Sequence, residues 1–288
     1  MQPQGGVYAP VPSSLPPGTQ PYASAMGAPP ETVDWMGGGM QPVGTSSRVY
    51  DAYTNLRVRQ TTRGWLQEHL GYEDETTFEV SDAKASGETV VMLAQETSSF
   101  LLRLVLGRWH PWTIYVRGRT AAGGVRPTDA AAVRHDRPCR MPMSACKCFS
   151  FQEVQHMEAR DDKSLGATVE QCYVCVPRFH VNNAAGEVEY VLSQPTCCDG
   201  LVVDVCAEGV CNCRVPFYVY DPSSSRLGKD NKIGRIVKVW SGLFKEAFTD
   251  ADTFEVDFPP QATSAGKARL MGSLFLINQL GFEGGDQH

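Results

Sequence analysis

The start of this chain lacks both a long hydrophobic run and any basic residue before Arg48. A secretory signal peptide has a charged start followed by an apolar run, and a mitochondrial presequence is rich in arginine, so neither is expected here. Without export, the ten cysteines of the 288-residue chain should stay mostly reduced. They are then expected to be buried thiols, metal ligands or sites of lipid attachment.

Motifs of enzymes and of ATP-driven transporters are also missing. The chain has no G-x-x-x-x-G-K-[ST] phosphate loop and no G-x-S-x-G nucleophile turn, and its six histidines show no metal-binding spacing. The net charge of −6 argues against a uniformly basic surface for nucleic acid. The sequence therefore predicts a protein without a catalytic site and without a nucleic-acid partner.

Residues 1–47 are rich in proline, glycine, serine and glutamine and contain almost no charge. With no hydrophobic period, this segment cannot bury enough apolar surface to offset its ordering entropy. We predict a disordered Pro/Gly-rich tail over 1–47 that acts as a flexible spacer. Pieces such as Leu15-Pro16-Pro17 leave docking to proline-recognition modules as an alternative.

Residues 48–288 have the composition of one globular domain, which opens with a predicted helix over Leu56–Tyr72. Many short strand candidates separated by turn residues follow, and this pattern favours a barrel or a sandwich. Long helical patterns between the strands are missing, which argues against parallel βαβ units. The candidates are Thr77–Val80, Thr89–Ala94, Ser99–Leu106, Thr113–Val116, Phe149–His156, Ala167–Cys175, Phe179–Asn182, Val188–Leu192, Leu201–Val205, Val215–Tyr220, Ile233–Val239 and Phe254–Phe258.

The last strand candidate is acidic on one face. Phe254, Val256 and Phe258 alternate with Glu255 and Asp257, which predicts a half-buried strand with its aromatic face inward and its acids in water. Read instead as an EF-hand loop, the segment has Glu255 where the sharp turn needs glycine. The strand is therefore the preferred interpretation, and calcium binding in the preceding turn is compatible with it.

A hydrophobic helix is predicted over about 267–282. Apolar residues lie on all sides of this helix, so the helix must be buried in a protein core or in a membrane. Its uncharged part, between Arg269 and Glu283, falls short of the roughly 20 apolar residues that cross a bilayer, and it contains Asn278 and Gln279. We therefore favour a helix threaded through a β-barrel, with a single-pass membrane helix as the alternative.

Two pairs of cysteines allow either a packing role or a metal site. Cys172 and Cys175 fall in a strand candidate, where buried thiols pack as small hydrophobic groups. Together with Cys211 and Cys213 they leave a zinc site as an alternative.

The segment Gly234–Phe258 carries the most informative motif of the chain. The run Trp240-Ser241-Gly242-Leu243, followed by Ala247–Asp252 and Phe254, closely resembles the signature of the phospholipid scramblase family. The pair Gln152-Glu153, which follows a group of cysteines, resembles the same family. The chain is therefore identified as a member of that family by resemblance.

The resemblance covers roughly residues 50–283 and implies a mostly β fold, a tubby-like closed antiparallel β-barrel that encloses the hydrophobic C-terminal α-helix. It implies calcium-activated, ATP-independent, bidirectional movement of phospholipids between membrane leaflets. The alternative is a palmitoyl-tethered, membrane-associated binding or signalling protein without lipid transport. Both predict membrane phospholipids as partners, a monomer or weak oligomer, and the cytoplasmic face of the cell membrane, reached by a lipid anchor or a single-pass helix.

The resemblance also implies two sets of site residues. The cysteines ahead of Gln152-Glu153 correspond to the family's palmitoylation segment, in a thinned form, and acylation there would anchor the protein to a membrane. The acidic segment corresponds to the family's calcium-binding stretch, with Gln261 where the family usually has Asp, so calcium affinity should be weak, on the order of 0.1–1 mM. The implied lipidation sites are Cys139, Cys146 and Cys148, and the implied calcium ligands are Asp250, Asp252, Phe254, Val256, Phe258 and Gln261.

Overall fold

The computed structural model describes residues 46–61, 76–85, 89–119, 124–140, 151–173, 176–194, 214–224, 227, 229–239 and 252–281. These residues all belong to the compact unit Gln41–His288. They contain twelve strands, which are β1 Asn55–Thr61, β2 Thr77–Asp82, β3 Val90–Thr97, β4 Trp112–Gly118, β5 Val133–Arg137, β6 Glu153–Glu158, β7 Ser164–Glu170, β8 Arg178–Asn182, β9 Val188–Ser193, β10 Arg214–Tyr220, β11 Lys232–Val239 and β12 Thr253–Asp257.

The strands close into one antiparallel barrel. Each strand pairs with its neighbours in sequence, and β1 closes the barrel by pairing with β12, where Asn55 lies opposite Asp257. Because every pair is antiparallel, odd-numbered strands all end at one end of the barrel and even-numbered strands at the other. The closed antiparallel β-barrel that the resemblance implies is therefore confirmed.

Side chains along each strand point alternately into the barrel and away from it. In β4, Trp112, Ile114 and Val116 are buried, whereas Thr113 and Tyr115 between them are half-buried. Period-2 alternation of this kind places one face of each strand in the interior. The buried faces of the strands form the lining of one core.

Two described α-helices accompany the barrel, α1 at Phe100–Leu106 and α2 at Ser264–Gly281. A barrel of about eight strands can be filled by its own side chains, but a wider barrel leaves a cavity. Here α2 fills the interior, and its residues from Gly266 to Gln279 are buried on every side. An apolar surface on all sides of a helix is stable in such a position.

The predicted C-terminal helix is thus confirmed inside the barrel, as the preferred interpretation has it. Core contacts surround it, since Leu270, Met271 and Leu274 are fully buried and Phe275 packs against Phe78 of β2 with ring centroids 5.0 Å apart. Among the described helices, none has the length and mean hydropathy that a membrane crossing requires.

Three local predictions are wrong. The predicted helix over Leu56–Tyr72 begins instead with β1, because Leu56 and Val58 alternate into the core and pair with β2 and β12. The strand candidate Ser99–Leu106 is instead the helix α1. Cys172, placed in a buried strand by the sequence, is exposed because β7 ends at Glu170.

Two further predictions fall outside the described residues, namely the strand candidate Leu201–Val205 and the tail over 1–45. Ser47, which the sequence assigned to the end of the tail, begins a 3-10 turn at Ser47–Tyr50. Its backbone N–H and hydroxyl donate to the Glu158 carboxylate at 2.9 and 2.5 Å. These bonds attach the start of the described chain to β6.

Candidate functional site

The acidic segment singled out by its sequence forms β12, between β1 and β11. Phe254, Val256 and the following Phe258 belong to the core and are 1%, 1% and 6% exposed. Glu255 and Asp257 are half-buried on the outer face. The predicted alternation of this strand is confirmed.

The outward acids of β12 are paired with basic residues on both neighbouring strands. Arg57 of β1 donates to the Glu255 carboxylate at 3.3 Å. Asn55 of β1 and Arg235 of β11 both donate to the Asp257 carboxylate. Partly exposed pairs of this kind are worth about 0–1 kcal/mol each, so they hold the register of β12 more than they stabilise the fold.

Asp252, directly before β12, has a more deeply buried partner. The Lys238 ammonium lies 2.8 Å from its carboxylate, and the side chain of Lys238 is only 3% exposed whereas that of Asp252 is 22% exposed. A buried ammonium depends strongly on its counter-ion, because it has lost its hydration. Any cation that binds Asp252 must therefore compete with Lys238.

The described part of the chain does not bring the candidate calcium ligands together. The three apolar candidates direct their side chains into the core, and Gln261 is exposed in the turn that leads to α2, at the opposite end of β12 from Asp252. Asp250 lies outside the described residues, in which no group of three or more His, Cys, Asp or Glu side chains could hold a metal. The calcium site stays a prediction that depends on Asp250 and Asp252.

Inside the barrel, a chain of hydrogen bonds joins β5, β6 and β7 to the middle of α2. The Ser273 hydroxyl donates to the Arg269 carbonyl at 2.8 Å, so it accepts the hydroxyl proton of Thr168 at 2.7 Å. Thr168 in turn accepts from His156 Nε2 at 2.9 Å, and His156 Nδ1 then accepts from His135 Nδ1 at 2.9 Å. Each hydroxyl has one proton to donate, so the direction of every bond in the series is determined. His156 therefore carries its proton on Nε2, and His135 carries its proton on Nδ1.

Burial keeps His135 and His156, the two histidines in this series of hydrogen bonds, uncharged. It lowers the pKa of His135 to about 3. It lowers the pKa of His156 well below its ordinary value, and electrostatic interactions with His135 and with the positively charged Arg269 lower it further. The two rings pack edge to face with centroids 5.0 Å apart beside Gly272, where no larger residue fits. These contacts set the height of α2 in the barrel.

A second polar cluster anchors the C-terminal turn of α2. The side-chain oxygen of Gln279 accepts from Trp112 Nε1 and from Arg137, which is 2% exposed. Arg137 also donates to the Gln152 side chain at 2.7 Å and to the His110 carbonyl at 3.3 Å. Gln279, one of the polar residues that weaken α2 as a membrane helix, thus binds the helix to the barrel.

The N-terminal turn of α2 is anchored by two basic residues. The Lys267 ammonium donates to the Tyr53 carbonyl at 2.7 Å and to the Tyr50 carbonyl at 3.2 Å. Arg269 donates to the Leu165 carbonyl at 2.5 Å and pairs with Glu189, and burial lowers its pKa to about 10. Both ends and the middle of α2 are therefore fixed to the wall.

The cysteines lie in connections at one end of the barrel. The β5–β6, β7–β8 and β9–β10 connections all leave and rejoin the barrel where the odd-numbered strands end, and together they contain all ten cysteines of the sequence. We call this the cysteine end. Cys139 and Cys172 are exposed there. Cys146 and Cys148 fall outside the described residues, and acylation of these three candidate sites stays a prediction.

The sequence interpretation missed a hydrophobic helix at the same end. The β3–β4 connection contains α1, in which Leu101, Leu104 and Val105 are 64%, 67% and 69% exposed. The spacing i, i+3, i+4 was the available signal, since it places three side chains on one helical face. The leucine-rich composition favoured the strand interpretation instead.

Comparison with known proteins identifies the family. The profile of the Scramblase family matches residues 46–284. Human phospholipid scramblase 2 is 26% identical over 255 residues, which cover 88% of this chain and 76% of that relative. Mouse phospholipid scramblase 1 is 26% identical over 273 residues, covering 94% and 74%. Human phospholipid scramblase 1 is also 26% identical, over 220 residues that cover 76% of this chain and 60% of that relative. No solved structure matches the chain. A family profile that spans the whole barrel and its internal helix establishes that this chain belongs to the Scramblase family.

Proposed function

We propose that this protein is a phospholipid scramblase, which lets phospholipids move in both directions between the leaflets of a membrane without ATP. The family match over residues 46–284 carries this proposal. The names of the relatives at about 26% identity support it. The sequence has no phosphate-binding loop that could couple lipid movement to ATP, which favours passive transfer down a gradient.

The filled barrel favours a lipid path outside the wall. Apolar residues of α2 such as Met271 and Phe275 occupy the interior, and polar bonds such as Gln279 to Trp112 hold the helix there. Packing at the density of a protein core leaves no room for an acyl chain or a headgroup. A lipid headgroup would therefore move along the outer surface of the barrel or through lipid that the protein disturbs.

Calcium activation is part of the proposal and depends on the residues before β12. Calcium prefers several oxygen ligands, and Asp252 is the described candidate that offers a carboxylate. Since Lys238 already neutralises Asp252, we expect binding to be weak and to involve displacement of that ammonium.

Transfer of lipid in a purified system tests the function. The full chain is reconstituted into vesicles with a fluorescent phospholipid in both leaflets, and an impermeant reductant then bleaches the outer leaflet. A scramblase makes the inner-leaflet label accessible without ATP, with phosphatidylcholine and phosphatidylserine alike. Vesicles that keep half of their label protected, with folded protein inserted, would contradict the proposal.

One observation favours a second candidate, a membrane-tethered binding or signalling protein without lipid transport. The interior of the barrel is occupied by α2, so the barrel offers no internal passage. The same transfer assay separates the two functions, because a tethered binding protein associates with the vesicle and leaves its leaflets unmixed.

A further inference from the structure

The exposed face of α1 is unusual for a helix outside a core. Leu101, Leu104 and Val105 share one face and are each about two-thirds exposed, and Leu102 is 39% exposed. Single exposed apolar side chains are ordinary on a protein surface, but a contiguous apolar patch marks an interaction site. The helix is short and begins after Ser98 and Ser99, which follow the end of β3 at Thr97.

Charge and position indicate what this face meets. The β3–β4 connection (98–111) contains Arg103 and Arg108 and no aspartate or glutamate, in a chain with a net charge of −6. An apolar helical face in a connection of positive charge favours a membrane surface that carries anionic headgroups.

The neighbouring connection supplies a second, independent feature. It contains the exposed Cys139, and it is adjacent to the α1 connection because β4 pairs with β5. A single acyl chain gives only reversible attachment to a bilayer, and stable attachment needs a second membrane-binding signal. If Cys139 is acylated, as the resemblance implies, the apolar helix at the same end of the barrel supplies such a signal.

We propose that α1 is a membrane-docking element, which inserts Leu101, Leu104 and Val105 into the boundary between headgroups and acyl chains of an anionic leaflet. The barrel then stands on the membrane with the β3–β6 part of its cysteine end against the lipid. This inference specifies the membrane-facing surface of the proposed scramblase and rests on that function for its lipid partner.

Vesicle binding by charge-neutral variants tests the docking surface. The full chain is produced in bacteria, where it is not palmitoylated, and is floated with vesicles of phosphatidylcholine and phosphatidylserine. Leu101→Ser/Leu104→Ser should lower the partition coefficient by about tenfold or more, since two exposed leucines lose their transfer into lipid. Ile233→Ser is the matched control, because Ile233 is an exposed apolar residue near the start of β11, at the opposite end of the barrel. Equal binding by all three proteins would overturn the inference, and so would an equal loss with Ile233→Ser.

Hydrogen exchange in α1 distinguishes lipid from other partners. The amides of 100–106 should exchange rapidly in solution and become protected when vesicles are added. Protection that grows with protein concentration without lipid would assign the face to a second copy of the chain. Concentration-independent protection without lipid would assign it to a segment of the same chain. Either result overturns the inference.

The outcome is separable from that of the proposed function. Binding that depends on α1, in a protein that leaves vesicle leaflets unmixed, would support docking and contradict the scramblase proposal. Lipid transfer by the unmodified protein, together with vesicle binding that Leu101→Ser/Leu104→Ser leaves unchanged, would support the scramblase proposal and contradict docking through α1.

Discussion

Buried polar side chains decide how α2 sits inside its barrel. His135, His156 and Thr168 project from three adjacent strands toward Ser273 of α2 and form a single directed chain of hydrogen bonds. An apolar helix in an apolar barrel could slide or rotate at little cost, whereas each of these bonds is satisfied at one height only. Buried polar contacts therefore specify the position of the helix, and dispersion and apolar burial stabilise it.

Gly272 makes this arrangement sterically possible. A Cβ added there would lie 2.5 Å from His156 Nδ1 and 2.7 Å from His135 Nδ1, and both rings are fully buried. Gly272→Ala should lower the free energy of unfolding by about 1–3 kcal/mol, as overpacking in cores does. Urea denaturation measures this loss. Gly124→Ala is the control, because an added Cβ there meets nothing within 4 Å. A Gly272→Ala protein as stable as this control would contradict the tight packing.

The two buried histidines predict a loss of stability in mild acid. Burial lowers the pKa of His135 to about 3, and the pKa of His156 is also well below 6.5. Below pH 6.5 the unfolded chain binds protons that the folded protein rejects, so the free energy of unfolding falls as the pH falls. The expected loss is roughly 1.4 kcal/mol per pH unit for His135 between pH 6 and pH 4, and His156 adds a loss of the same sign.

Urea denaturation of the unmodified protein and of His156→Gln over this pH range checks the assignment. The variant should lose less stability in acid than the unmodified protein, since one of the two fully buried imidazoles is removed. An identical pH dependence in both proteins would show that His156 does not contribute to it.

Residues of this kind are difficult to predict from sequence. His135, His156 and Arg137 are titratable groups in strands, and sequence reasoning assigns such groups to the outer face. Arg137 pairs with Gln279, 142 residues away on α2, and the histidines reach α2 only through Thr168, which bonds Ser273 at a separation of 105 residues, so no local spacing reveals these contacts. Asn278 and Gln279 were recognised as unsuited to a membrane span, but their partners could not be inferred.

At the scale of elements, α2 acts as the core of the barrel. Its Gln279 accepts hydrogen bonds from Trp112 and Arg137, so removal of that amide leaves two buried donors without this acceptor. Gln279→Leu should lower the free energy of unfolding by about 1–3 kcal/mol, the cost of leaving the buried Trp112 N–H unsatisfied, while Arg137 keeps its bond to the His110 carbonyl. The same substitution at the exposed Gln261 should change stability little. Thermal or urea unfolding compares the two, and equal stabilities would contradict the anchoring of the helix.

The ion pair beside β12 predicts how calcium affinity responds to substitution. Lys238→Met removes the ammonium that competes for Asp252 and keeps a similar volume, so it should lower the Kd for calcium about fivefold, for roughly 1 kcal/mol of removed repulsion. Asp252→Asn should raise the Kd instead. Calorimetric titration with calcium, with circular dichroism to check folding, measures both. Opposite shifts support a site at Asp252, and two unchanged affinities would place calcium elsewhere or show that it does not bind.

Elements with a clear period were predictable, and those set by distant pairing were not. The alternation of Phe254, Val256 and Phe258 predicts β12, and the uniform apolar surface of α2 predicts its burial. β1 was misassigned as helix because its pairing partners, β2 and β12, lie up to about 200 residues away in sequence. The helix α1 was misassigned because an exposed leucine-rich face contradicts the usual link between hydrophobicity and burial.

At the scale of the whole molecule, the barrel has two different ends. Connections at the cysteine end contain every cysteine of the sequence and the exposed apolar helix α1, whereas the turns at the opposite end contain no cysteine. Because neighbouring strands are antiparallel, every connection from an odd-numbered strand to the next strand lies at one end of the barrel, and every connection from an even-numbered strand lies at the other. The sequence predicted the barrel by resemblance, but the position of each connection depends on the number of strands before it.

We propose that this Scramblase-family barrel moves lipid while α2 remains inside it. Photo-methionine incorporated at Met271, which is fully buried in the barrel, reports the surroundings of the helix in proteoliposomes that are actively transferring a fluorescent phospholipid. We predict lipid transfer together with cross-links from Met271 to strand peptides of the barrel. Lipid adducts on Met271, or cross-links to strand peptides without any lipid transfer, would contradict the account.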